Sequence, residues 1–163
     1  MRICVIGSGA VGITHVDTIA KTPGYELAGI ADPAPATGEV AARYGTRPYA
    51  DYRDLIEAEK PRGAVIAAPN ALHLPIGRDF LEAGIPILVE KPVANTVAEG
   101  MELAAISEAT GVPVLVGHHR RHHPAIRKAR ELIAAGPDGL EDLLVETVVG
   151  SEDEVTRLDL LAN

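Results

Sequence analysis

Gly7, Gly9 and Gly12 occupy the three positions of G-x-G-x-x-G in "GSGAVG", with Ala10 and Val11 inside the loop, directly after the apolar run "ICVIG". Glycine permits a tight turn at the first position and close approach of a diphosphate at the second; at the third it lets the next helix lie near the strand. The unpaired N–H groups at that helix's start are donors for phosphate oxygens. Asp32 follows Gly12 by twenty residues, at the end of the second apolar run, where a carboxylate can accept protons from ribose hydroxyls. Three glycines in a loop also suit an ordinary tight turn, and Asp32 could simply cap the turn "DPAP". The strand-loop-helix context favours a dinucleotide site. An acid at 32 repels the 2′-phosphate of NADP, so NAD is the expected coenzyme and NADP the less favoured one, with Arg43 the residue that could offset the repulsion.

Two more polar segments end apolar runs. In "AAPNALH" (67 to 73), Ala68 and Pro69 can shape a wall beside the coenzyme, while Asn70 and His73 either hydrogen-bond coenzyme or substrate or face solvent in a helix's first turn. In "EKP" (90 to 92), Lys91 can donate to a substrate or nicotinamide-ribose hydroxyl, and Glu90 can hold a charge partner. Pro92 stiffens the turn, a place that accepts a cis peptide. A surface ion pair is the plainer account of an isolated "EKP". Ligands of open α/β sheets bind outside the carboxyl ends of the strands, so both segments belong at the edge that carries the glycine loop.

"GHHRRHHP" (117 to 124) sets His118, His119, His122 and His123 around Arg120 and Arg121. Zinc is the obvious thought for four imidazoles. Adjacent residues of an extended segment point to opposite faces, two guanidiniums repel a cation, and no nearby Cys or carboxylate completes a ligand set. No metal is expected.

The elements that must position these residues follow from the alternation of short apolar runs with longer amphipathic ones, the pattern of βαβ units. Strands are predicted at 3–7, 26–32, 63–68, 86–90 and 113–117, with a small one at 47–49. Their continuous hydrophobicity suits burial on both faces. Helices are predicted at 10–22, 35–44, 51–59, 72–83 and 97–110, stopped by Gly24, Gly45, Gly84 and Gly111 or by Pro61, and a last one runs from Pro124 to a stop at Gly136. Thr96 and Glu99 have capping-box spacing. The expected fold class is α/β, a doubly wound and mainly parallel sheet.

With 47% apolar residues among 163, the chain can fill one core with a remainder. Fifteen basic and twenty-three acidic side chains leave a formal charge of −8 with no compensating basic run, so neither nucleic acid nor an anionic membrane surface is an expected partner. The single cysteine, Cys4, cannot form an internal disulfide and reads as core filling in a reducing compartment. No apolar stretch approaches the roughly 20 residues of a bilayer span, and "MRICVIG" is too short for a signal peptide. A cytoplasmic location is expected.

Glycine loop, acid after strand two, A-x-P-N-x-x-H, E-K-P and an arginine-bearing turn occur in that order, and over approximately the first 135 residues the chain resembles the Gfo/Idh/MocA family of sugar and polyol oxidoreductases. The resemblance implies a Rossmann domain followed by a second α/β domain that completes the substrate site. It implies that Lys91 is the catalytic lysine and that Arg121 serves the nicotinamide end. The family turn usually reads G-aromatic-Asn-Arg-Arg-aromatic-x-Pro; here Gly117, Arg120, Arg121 and Pro124 are kept while His119 replaces Asn and His122 an aromatic.

On this basis residues 1–122 are expected to be the dinucleotide-binding domain and 123–163 a linking helix with the truncated remnant of the second domain. "LEDLLVETVVG" (140 to 150) resembles that domain's first strand, and a full domain needs on the order of a hundred further residues. An unpaired apolar strand recruits another edge, so a homo-oligomer or a partner chain joined there is expected. The family commonly takes an acid/base pair from the second domain, and no histidine follows His123. Two functions are consistent with this: an NAD-dependent dehydrogenase that moves hydride between nicotinamide and the carbinol carbon of a sugar, polyol or cyclitol, or a nucleotide-binding module with no catalysis of its own.

Overall fold

Short apolar runs with no polar face can satisfy their backbone only inside a sheet covered on both sides. Residues 1–136 are described by a computed structural model, and its strands are β1 (Arg2–Ile6), β2 (Glu26–Ala31), β3 (Pro48–Tyr49), β4 (Gly63–Ile66), β5 (Ile87–Val89) and β6 (Val114–Val116). All pair in parallel, in the order β3-β2-β1-β4-β5-β6. The helices are α1 (Ala10–Lys21), α2 (Thr37–Arg43), α3 (Tyr52–Glu59), α4 (His73–Glu82), α5 (Val97–Thr110) and α6 (Pro124–Ala134). The sheet is doubly wound, as the alternating pattern predicts.

Strand alternation sends successive side chains to opposite layers. Cys4, Ile6 and Ile66 join Leu55 of α3, Phe80 and Leu81 of α4 and Leu103 of α5 in one cluster. Val5, Ile30 and Val65 join Val16 and Ile19 of α1 and Val40 of α2 in the other. Cys4 is buried, and burial pushes its thiol up to about 12, so at neutral pH it is inert packing.

Register aligns the strand ends. Ile6 stands opposite Ala31 and Ile66, and Ile66 opposite Val89. The next residues continue the ladder: Gly7 N–H donates to the Ala31 carbonyl at 2.8 Å, Ala67 N–H to Ile6 at 2.7 Å and Glu90 N–H to Ile66 at 2.9 Å. One edge therefore carries the starts of the glycine loop, "APNALH" and "EKP". β1 and β4 are neighbours although β2 and β3 separate them in sequence, which opens a crevice where the winding reverses.

The described residues divide into a compact unit, Met1–Gly117, and a second that starts at His118. In the second, His119–His122 form a 3-10 turn in which Arg121 N–H donates to His118 O and His123 N–H to Arg120 O. This corrects the expectation of an extended run there, and with it the argument that neighbouring imidazoles point to opposite faces. His123 accepts from Ala125 N–H at 3.3 Å, and Pro124 opens α6. The strand expected at 140–150 lies outside the described residues.

α5 has the reciprocal cap that Thr96 and Glu99 announce: Glu99 N–H donates to Thr96 Oγ1 at 3.2 Å, and Glu99 Oε2 accepts from Thr96 N–H at 3.1 Å. Thr96→Ala is expected to lower the unfolding free energy by about 1 kcal/mol while Thr96→Ser stays near wild type, read from urea melts.

Candidate functional site

The glycine loop shows three different spatial constraints. A β-carbon on Gly7, whose φ is +102°, would stand 2.5 Å from the Ala67 carbonyl oxygen; one on Gly12 would stand 2.0 Å from the Gly7 oxygen. These two positions close the backbone on itself. Gly9 is the opposite case, for a β-carbon there meets nothing within 4 Å. It caps α1 with no side-chain hydrogen bond, and no acidic residue stands in the first turn. The positive end of the helix is thus open and uncompensated, the arrangement that accepts an anion.

Asp32 leaves β2 beside this loop. Its Oδ2 accepts from Ser8 N–H at 2.7 Å and its Oδ1 from Ala34 N–H at 2.8 Å, so it caps its own turn and also fastens the glycine loop. Partial burial pushes its pKa up, but the Ser8 and Ala34 amides and the Ser8 hydroxyl outweigh burial and hold the carboxyl below its ordinary range. Ser8 Oγ lies 2.9 Å from Thr37 Oγ1, a buried hydroxyl at the start of α2.

A cavity of about 810 Å³ opens here. Of the residues selected from sequence, Gly7, Gly9, Ala10, Val11, Asp32, Ala68 and Pro69 line it. Pattern reasoning missed the opposite wall, made by Ala50 to Arg53 after β3 and by Leu72, Pro75 and Ile76 near the start of α4. The signal was available: a strand at 47–49 must release its chain at the same edge.

Asn70 is exposed at the start of a 3-10 turn, Asn70–Leu72, outside the cavity lining. His73 corrects the expectation that it could face solvent. It is buried, with Nε2 at 2.8 Å from the Ala68 carbonyl and Nδ1 at 3.0 Å from the Pro92 carbonyl. A ring bracketed between two backbone carbonyls ties the loop after β4 to the "EKP" turn.

The Lys91-Pro92 bond is cis, and Lys91 is exposed at the end of β5. Glu90 turns inward: Oε1 lies 2.8 Å from His15 Nε2 on α1, and Oε2 accepts from Lys91 N–H at 3.1 Å. His15 was not selected from sequence, since a lone histidine on a helix carries no spacing signal. Arg121 belongs to the second unit, in its 3-10 turn. Among the described residues, no group of three His, Cys, Asp or Glu is placed to hold a metal ion, and no helix is long and apolar enough to cross a membrane.

A glycine cradle open only at its middle position, an acid at the end of β2 and a crevice at the strand-order reversal define a dinucleotide-binding Rossmann domain. Comparison with known proteins carries this further. The chain belongs to the GFO_IDH_MocA oxidoreductase family with an NAD-binding Rossmann fold, whose model matches residues 1–118. It is 34% identical over 135 residues to the rhizopine catabolism protein MocA of Rhizobium meliloti, covering 83% of this chain and 43% of that protein. It is 32% identical over 143 residues to an inositol 2-dehydrogenase of Corynebacterium glutamicum, covering 85% and 42%. Among solved structures, GenD2 from gentamicin A biosynthesis, in complex with NAD, matches with a TM-score of 0.76 and 26% identity over 81% of this chain and 38% of that one. A scyllo-inositol dehydrogenase from Lactobacillus casei shares the fold, with a TM-score of 0.79 and 22% identity over 83% and 41%. The chain spans less than half the length of these relatives.

The depressed acidity of Asp32 links loop geometry to pH. A folded-state pKa below the unfolded value gives stability that is fully present above the unfolded pKa and is lost as pH falls through the folded one. Wild type is therefore expected to lose stability relative to Asp32→Asn as pH drops below about 4, in paired thermal melts across an acid series.

Proposed function

We propose that this chain supplies the coenzyme half of an NAD-dependent dehydrogenase acting on the carbinol carbon of a cyclitol or related sugar. The observation that carries the reading is the contrast among the glycines: two are sterically closed and the one facing the open helix end is free. The coenzyme's diphosphate would lie against Gly9 and the first N–H groups of α1, with its adenosine in the cavity and its ribose diol at Asp32. The residues fit such a group, since donors, carboxylate and apolar walls are all on one edge. A carboxylate already fixed by two amides is a ready acceptor for the diol and a repellent for a 2′-phosphate, so NAD is preferred to NADP.

When bound, NAD supplies an acceptor for hydride. The protein's part at that end falls to Lys91, which holds and polarises the substrate hydroxyl, and to Glu90, which fixes the turn through Lys91 N–H and His15. The family resemblance supports a role for Arg121 at the nicotinamide end, and Asn70, exposed after β4, is available to the coenzyme or substrate. We assign residues 1–122 to the coenzyme domain, of which Met1–Gly117 form one compact unit, with the segment from 123 onward leading toward the substrate domain that the family resemblance implies. The cyclitol class is supported by the inositol 2-dehydrogenases among the relatives.

Calorimetric titration with NAD and NADH tests the core of this, and absence of binding at millimolar coenzyme would sink it. Because the Gly9 site is open and its φ of −68° suits any residue, Gly9→Ala is expected to stay within about 1 kcal/mol of wild-type stability. It should nonetheless weaken NAD binding at least about tenfold, by filling the space a phosphate needs. Adding myo-inositol and following NADH absorbance, with Lys91→Ala as control, separates turnover from binding alone.

A further inference from the structure

Among the described residues Arg53 is the only cation lining the cavity, and two carboxylates lie beside its guanidinium. Its Nη2 lies 2.9 Å from Asp79 Oδ2 on α4 and its Nη1 3.7 Å from Asp51 Oδ2, while its guanidinium carbon sits 4.6 Å above the Tyr52 ring centroid. Asp79 is itself fixed: Tyr52 Oη donates to the same Oδ2 at 2.7 Å, and the Tyr52 ring stacks on buried Phe80 at 6.1 Å. Burial and then that hydrogen bond push the Tyr52 phenol well above its usual range, so it remains a donor. The arginine, itself exposed, thus lies on a platform anchored in the core with two carboxylates beside its guanidinium.

The position matters because Asp32 and Arg53 line the same cavity. Asp32 N–H donates to the Tyr49 carbonyl at 2.9 Å, and Arg53 follows Tyr49 by four residues, in the first turn of α3. A 2′-phosphate on a ribose held at Asp32 would look to Arg53 for a counter-charge, since Arg43 is exposed on α2 and does not line the cavity. Resting on the coenzyme reading above, we propose that the Asp79–Tyr52–Asp51 clasp is a second selectivity element, which withholds Arg53 from a 2′-phosphate and so adds to the repulsion from Asp32.

The test compares NAD and NADP affinities by calorimetry for wild type, Asp79→Asn and Asp79→Asn with Arg53→Ala. The same set on an Asp32→Ser background removes the direct repulsion and brings NADP into measurable range. Asp79 is partly exposed and Asn can still accept from Tyr52, so this variant keeps the platform; Asp51→Asn, which can still cap α3, is the second release. Freeing the guanidinium should raise the NADP-to-NAD affinity ratio about fivefold, the scale of a partly exposed ion pair, and Arg53→Ala should cancel the gain. A ratio unmoved in both backgrounds, or a gain that survives Arg53→Ala, overturns the inference while NAD binding itself stands. A wild-type chain that binds neither coenzyme overturns the coenzyme reading and this inference together.

Discussion

The Gly7 carbonyl oxygen lies 2.0 Å from where a β-carbon on residue 12 would have to stand, and the cleft depends on that approach. With no side chain between them, α1 packs against the turn that leaves β1 and buries Gly12, Val16 and Ile19. Any standoff there would tilt α1 away from the sheet and draw its N-terminus from the edge. Gly7 adds the second half of the constraint, because the turn needs φ of +102° and leaves no room for a β-carbon beside Ala67. Helix position, loop shape and the spacing between β1 and β4 are one steric problem with one solution.

Strand ends in a parallel sheet leave backbone groups that the ladder no longer pairs, and here side chains take them up. Asp32 accepts from the amides of Ser8 and Ala34; His73 bridges the carbonyl oxygens of Ala68 and Pro92; Glu90 accepts from Lys91 N–H while reaching His15. Each bracket joins two connections that are distant in sequence. The edge is thereby stiffened as a set, with the glycine loop tied to β2, the loop after β4 tied to the "EKP" turn, and that turn tied to α1. Such preorganisation lowers the ordering cost that a ligand must otherwise meet on binding.

The strands and helices were legible because their signals are local. Continuous apolar runs, glycine stops and the Thr96 capping box each act within a few residues, and they reappear with boundaries moved by one or two positions. The glycine loop and Asp32 were legible for the same reason, since a fixed spacing within one βαβ unit carries the geometry. His73 was misread because its partners are carbonyls, which every residue has, so no residue type marks them in advance. The wall formed by Ala50 to Arg53 was missed although its strand was not, because a wall depends on which loops share an edge, a property of strand order rather than of any local segment. The 3-10 turn at His119–His122 shows the converse failure: an extended run was assumed where short-range hydrogen bonds to His118 and Arg120 carbonyls curl the chain.

The two ends of the site differ in what they are made of, and the difference sets what each can do. At the cradle the donors are backbone amides, whose direction is fixed by α1 and which only proline would remove, so on the proposed reading this end would orient a diphosphate with little dependence on side-chain identity. At the far wall Ala50, Leu72, Pro75 and Ile76 offer apolar area, which on that reading would favour a base through desolvation without selecting among similar ones. Discrimination must then come from the few charged groups between these ends. In the cavity these are Asp32, Asp51 and Arg53, and the guanidinium is matched by carboxylates that exceed its charge once Asp79 is included. On the coenzyme reading proposed above, that anionic surplus would lie where two coenzymes differ by one phosphate and would select between them with no contact to the phosphate at all.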